Sequence, residues 1–173
     1  HNGVNHGWPI TSLHAIFDEW VVYRNLEPLD PRIAGLRASW REIGLDHYYI
    51  PRKAKDEDYV RVILHFAGHM QEARRQPHLR RLLYLGNRRV RDRHTIQHFM
   101  RHVSWPFVAF LCEEDLDEPG QMTEQDHVLL ANRWAMVADL AAFLRDAAFP
   151  LDAQTAIVVD MDKTIIGARG RND

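Results

Sequence analysis

The sequence predicts an α/β fold: a small parallel, Rossmann-like sheet with flanking helices and a helical N-terminal third. Three observations predict it. Two short apolar runs, Arg81 to Leu85 and Pro106 to Cys112, bracket a segment of helical character, so strand, helix and strand follow within about thirty residues. A third run, Thr155-Ala156-Ile157-Val158-Val159, is rich in β-branched residues. Before Arg81 the apolar positions recur with helical spacing instead.

The elements follow in order. Leu13, Ile16, Phe17, Trp20 and Val21 predict a helix over Ile10 to Asn25, with Phe17 and Trp20 on a core-facing side. A second helix is predicted from Pro31 to Ile43, with Asp30 as its cap and Gly44 at its end. A third fits Asp56 to Arg75, with Tyr59, Val62, Ile63, Phe66 and Met70 on one side. The strand at Arg81 to Leu85 ends at Gly86, and a helix over Asp92 to Val103 has Asp92 as its cap. Glu113 to Asp126 holds seven acidic residues and no basic ones, with Pro119-Gly120 in the middle, and reads as a solvated linker. A long helix is predicted from about Thr123 to Ala147, stopped by Pro150. This divides the chain into residues 1–112, an acidic linker over 113–126, and residues 127–173 with the long helix and last strand.

Composition narrows the partners. With 46% hydrophobic and 27% charged residues the chain is that of a globular protein. Its formal charge of -2 gives no pull toward nucleic acid or an anionic membrane. No apolar run is long enough to span a membrane, so no membrane association is expected. The single cysteine, Cys112, precludes an internal disulfide and fits a reducing, cytoplasmic setting.

The chemistry concentrates near the end. The strand at Ala156–Val159 delivers two carboxylates, Asp160 and Asp162, two residues apart, followed by Thr164 and Gly167. In open parallel sheets, ligands sit at the C-terminal edge of the strands. The run Asp160-Met161-Asp162-Lys163-Thr164 after an apolar strand resembles the first motif of the haloacid dehalogenase-like hydrolases. The resemblance implies a phosphohydrolase acting on a small phosphorylated substrate through an aspartyl-phosphate. Asp160 would be the nucleophile and Asp162 the general acid and base. Thr164 would order the loop and meet the substrate. Two neighbouring carboxylates repel, so the resemblance implies Mg2+, held by Asp160 and Asp162.

A second resemblance lies upstream. Leu82-Leu83-Tyr84-Leu85-Gly86-Asn87, with Asp92 five residues on, is similar to the last motif of the same family, an apolar strand followed by Gly-Asp and a second Asp. Asn87 stands where the first carboxylate is expected, and Asp92 matches the second. The resemblance makes Asp92 a further metal ligand and implies weakened metal binding through Asn87. The family's later motifs, among them a charge-steadying lysine, lie downstream of its first motif. The chain, which opens on His1 and stops at Asp173, is therefore expected to be a fragment, a junction of tandem domains or a permuted domain.

Other constellations read as structural. His65 and His69, and His94, His98 and His102, fall at helical intervals but lack a zinc-protease glutamate and read as surface or packing residues. Arginines cluster between Arg74 and Arg101 and read as a solvated face that pairs with the acidic stretch. Two alternative functions stand beside the hydrolase: a catalytically degraded structural or regulatory domain, and an arginine-mediated binder of nucleotide or nucleic acid. Asp160 and Asp162 in a shared cleft, with Asp92 or Asn87 on the adjacent strand, would separate the hydrolase from both.

Overall fold

The computed structural model describes residues 20–87 and 89–160. The chain divides into two compact units, one to Ile50 and one from Pro51.

In the first unit the chain from Trp20 is a turn and bridge, not a helix. Val22 pairs antiparallel with Pro28, and Leu26 turns the chain with a φ of 59°. Trp20 is therefore half exposed and not on a core face. Residues 10–19 of the expected first helix lie outside the described residues. The next helix, α1 (Leu36–Ile43), starts five residues later than expected. The fully buried Asp30 carboxylate explains the delay. It accepts from the Arg32 backbone N–H at 3.0 Å and from the Arg32 guanidinium at 2.9 and 2.8 Å. That local turn competes with helix, as short acidic side chains do. Gly44 ends α1 in the left-handed region with a φ of 82°, as predicted.

The second unit is built on a five-stranded sheet. Its elements are α2 (Asp58–Ala73), β1 (Arg81–Gly86), α3 (Arg89–His102), β2 (Phe107–Cys112), β3 (Met122–Gln125), β4 (Val128–Ala131), a short 3-10 turn at Trp134–Met136, α4 (Val137–Asp146) and β5 (Thr155–Val159). The spatial order is β3-β4-β2-β1-β5. All neighbours are parallel except β3 and β4. The three strands expected from the apolar runs are all present and adjacent.

Alternation along β1 sends its side chains into two cores. Leu82 and Tyr84 pack with Val60 of α2, Ile96 and Phe99 of α3, and Ala109 and Leu111 of β2. Leu83 faces the other way, with Phe110, Leu129, Leu140 and Leu144. Helices thus cover both faces, as a parallel sheet requires.

The long helix expected over Thr123 to Ala147 is not present. Its first half is the β3–β4 hairpin, and only Val137–Asp146 is α-helical. The turn explains the error. Asp126 and His127 both have positive φ, 51° and 63°, which is the backbone of a tight two-residue hairpin loop. Asp-His is not the usual residue pair for that turn. The acidic stretch therefore supplies a strand to the sheet.

β5 is fixed beside β1 at its starting end. Arg81 donates from Nη2 to both oxygens of Asp152, at 2.7 and 2.8 Å, and from Nε to Thr155 Oγ1 at 3.2 Å. The Gln154 N–H, and then the Arg81 guanidinium, hold the Asp152 carboxyl below its ordinary value. Among the described residues, no helix is long and apolar enough to cross a membrane.

Candidate functional site

Parallel pairing sets the C-terminal edge of the sheet. Leu85 stands opposite Val159, and the Asp160 N–H donates to the Leu85 carbonyl at 2.9 Å, which carries the pairing one residue past β5. Asp160 therefore stands beside Gly86, where β1 ends.

Asp92 lies in the first turn of α3 and turns its carboxylate back toward the end of β1. Asp92 is not the helix cap expected from the sequence, because α3 begins three residues earlier, at Arg89, and Asp92 lies inside its first turn. Its side chain is 1% exposed. Oδ1 accepts the Tyr84 hydroxyl at 2.8 Å, and Oδ2 accepts the Asn87 backbone N–H at 3.0 Å. The start of a helix also favours a negative charge there. Gly86 makes the approach possible. A Cβ at that position would lie 2.6 Å from Asp92 Oδ2 and 2.9 Å from the Tyr84 ring.

The residue that joins these groups is Lys53. Its Nζ lies 2.7 Å from Asp92 Oδ1 and 2.9 Å from Asp160 Oδ2. It also stands 5.5 Å from the centre of the Tyr84 ring, within cation–π range. Thr95 of α3 donates to the Lys53 carbonyl at 2.9 Å and so pins the loop that carries it. Three segments far apart in sequence, around residues 53, 92 and 160, thus meet on one ammonium. The side chain of Asp160 is 23% exposed, and among the described residues only Lys53 bonds it.

Two tyrosines back the carboxylates. Burial pushes the Tyr59 phenol of α2 well above its ordinary value, with the charges of Asp160 and Asp92 adding to it. Burial also raises Tyr84, followed by the charge of Asp92 and the hydrogen bond to it. Raised folded-state values mean that the fold disfavours the phenolates. The associated stability is complete below about pH 10, the value for the unfolded chain, and is lost as pH rises beyond it. Urea titrations should show stability falling above pH 10, by up to about 1.4 kcal/mol per pH unit for each tyrosine. Tyr84→Phe should make that slope shallower.

The site residues expected from the sequence fall as follows. Asp160 and Asp92 are brought together. Asn87 follows Gly86 at the end of the neighbouring strand, and its N–H helps to hold Asp92. Asp162 and Thr164 lie outside the described residues. Lys53 was missed, because a lysine in a loop between two helices carries no motif of its own. Its rarity is the signal that could have found it: Lys53, Lys55 and Lys163 are the only lysines, while Lys and Arg together number 22.

The arginine cluster is partly neutralised. Arg93 pairs with Asp126 of the acidic stretch, Arg81 with Asp152, and Arg101 approaches Glu57 at 3.9 Å. Among the histidines, His65 and His69 meet edge to face at 4.3 Å between ring centres, and His102 bonds Glu57 at 3.0 Å. No family model, curated protein or solved structure matches the chain.

Proposed function

We propose that the protein is a phosphohydrolase of the haloacid dehalogenase-like type, with Asp160 as the phosphoryl acceptor. The observation that carries this reading is the Lys53 ammonium shared by Asp160 and Asp92 at the C-terminal edge of a parallel sheet. That edge is the usual ligand position in such folds. The resemblance at Asp160 to Thr164 supplies the reaction class.

The roles follow from charge and geometry. Lys53 holds Asp160 Oδ2, which leaves Oδ1 to attack phosphorus. A bond forms from Oδ1 to phosphorus as the bond from phosphorus to the substrate oxygen breaks. Asp162 gives a proton to that departing oxygen. It then takes one from a water that attacks the same phosphorus, which frees phosphate and restores the Asp160 carboxylate. Throughout, Lys53 offsets the negative charge that gathers beside Asp160. Asp92 is a positioning residue: the Tyr84 hydroxyl and the Asn87 N–H fix it, and it fixes Lys53. A partly exposed carboxylate such as Asp160 fits a hard cation, so Mg2+ would be held by Asp160 with Asp162. When bound it supplies further charge neutralisation at the phosphoryl oxygens.

The test is hydrolysis of an aryl phosphate with Mg2+ by the protein and its Asp160→Asn variant. The expected result is turnover that falls at least about a thousandfold in the variant, since the nucleophile is gone. Turnover that survives the substitution would refute Asp160 as acceptor. No turnover in either protein would favour a structural or regulatory domain, a reading to which the amide of Asn87 in place of a carboxylate also points. Pairing of Arg93 with the acidic stretch weighs against a nucleic-acid surface.

A further inference from the structure

Asp92 and Asp160 are the described carboxylates that the resemblance assigns to a divalent cation, and the structure sets an ammonium between them. We propose that Lys53 is the resident counter-cation of this pair, so that a divalent cation reaching the site binds on the Asp160 side alone and Asp92 is not among its ligands. The proposal rests on the reading of this edge as the functional site, but not on the reaction assigned to it.

Three features carry the proposal. The first is space. Mg2+ dehydrates reluctantly and keeps several waters in a near-octahedral shell. A carboxylate that is 1% exposed, pressed beneath Gly86, has no room for that shell. An ammonium can bridge two oxygens without one. The second is saturation. Asp92 Oδ1 already serves Tyr84 and Lys53, and Oδ2 serves the Asn87 N–H. A metal bond to Asp92 would have to displace one of these donors and leave it buried, at a cost comparable to a lost buried hydrogen bond. The third is fixation. The Thr95 hydroxyl holds the Lys53 carbonyl, and the Tyr84 ring lies beside its Nζ, so the ammonium is stationed and not a passing surface charge.

Mn2+ binding, read by electron paramagnetic resonance with no substrate present, tests this. In Asp92→Asn the Mn2+ dissociation constant should rise by no more than about threefold over the unmodified protein, the effect of a lost charge at a residue that positions Lys53 and is not itself a ligand. Lys53→Ala should bind Mn2+ at least tenfold more tightly, because it vacates the space between two carboxylates. Adding Asp92→Asn to that variant should abolish the gain. A tenfold loss in Asp92→Asn alone, or no gain in Lys53→Ala, would overturn the proposal.

If Lys53→Ala does not fold, the unmodified protein still gives the answer. With only three lysines, the Lys53 side-chain Cε–Hε resonance can be followed during a Mg2+ titration. Its nuclear Overhauser contacts with the Tyr84 ring should persist at saturating Mg2+, and their loss would refute the bridge. These outcomes hold whether or not the protein hydrolyses phosphate esters. Failure of the hydrolase reading and failure of this proposal are therefore separate results.

Discussion

Replacement of Lys53 by methionine is expected to destabilise the sheet-bearing unit by about 3 kcal/mol and, on the hydrolase reading proposed above, to lower phosphate-ester turnover by about 10²–10³-fold. Methionine keeps most of the length and packing of the lysine stem but removes its charge. Asp92 then stays buried without the Lys53 charge, and removal of one partner of a buried pair in general costs more than the pair was worth. The estimate sits at the low end for a buried pair because Lys53 itself is 26% exposed. Urea denaturation reads the stability and steady-state kinetics the turnover. A variant as stable as the parent would mean that Asp92 is satisfied without Lys53. Turnover equal to the parent's would remove Lys53 from the chemistry.

The second large effect is expected from Gly86→Ala. On an open strand this change should stabilise by roughly 0.5–1 kcal/mol, because glycine loses more freedom on folding. Here the new methyl would lie 2.6 Å from the Asp92 carboxylate and 2.9 Å from the Tyr84 ring. Neither neighbour can give way easily: Asp92 is held by Tyr84, Asn87 and Lys53, and Tyr84 lies in the core with Leu82 and Phe99. The net outcome should be a loss of about 1–3 kcal/mol, as for an overpacked interior. The sign alone decides the matter. A rise in urea midpoint would show that the strand end does not need its close approach to Asp92.

Much of the fold was legible because strands buried on both faces announce themselves as apolar runs. The runs at Leu83, Val108 and Val158 became three neighbouring parallel strands. Helix α2 was legible from its period, and α1 from the glycine at its end. The Ala-rich positions after Thr123 suggested helix, and sheet pairing overrode that local preference. Val128 and Leu130 pack with residues of one core while Leu129 and Ala131 pack with the other, an alternation that the helical reading overlooked. The candidate site was half legible. Asp160 and Asp92 carried local patterns, each at the edge of a strand or helix. Lys53 did not, because its role depends on a loop being folded over the end of β1, and no spacing in the sequence encodes that distance.

The pairing of β5 with β1, and not with a strand nearer to it in sequence, also shapes how the unit assembles. β1, α3 and β2 are close along the chain, and β3 and β4 are joined by a two-residue turn, so these contacts can form early. Joining Arg81 to Thr155 closes a loop of more than seventy residues and must await the rest. Lys53 and Asp92 belong to the early part, whereas Asp160 arrives with the late strand. The ammonium can therefore meet Asp92 before it meets Asp160. Stopped-flow kinetics of Arg81→Met, which loses the bond from β1 to Asp152 ahead of β5, should show faster unfolding with an almost unchanged refolding rate.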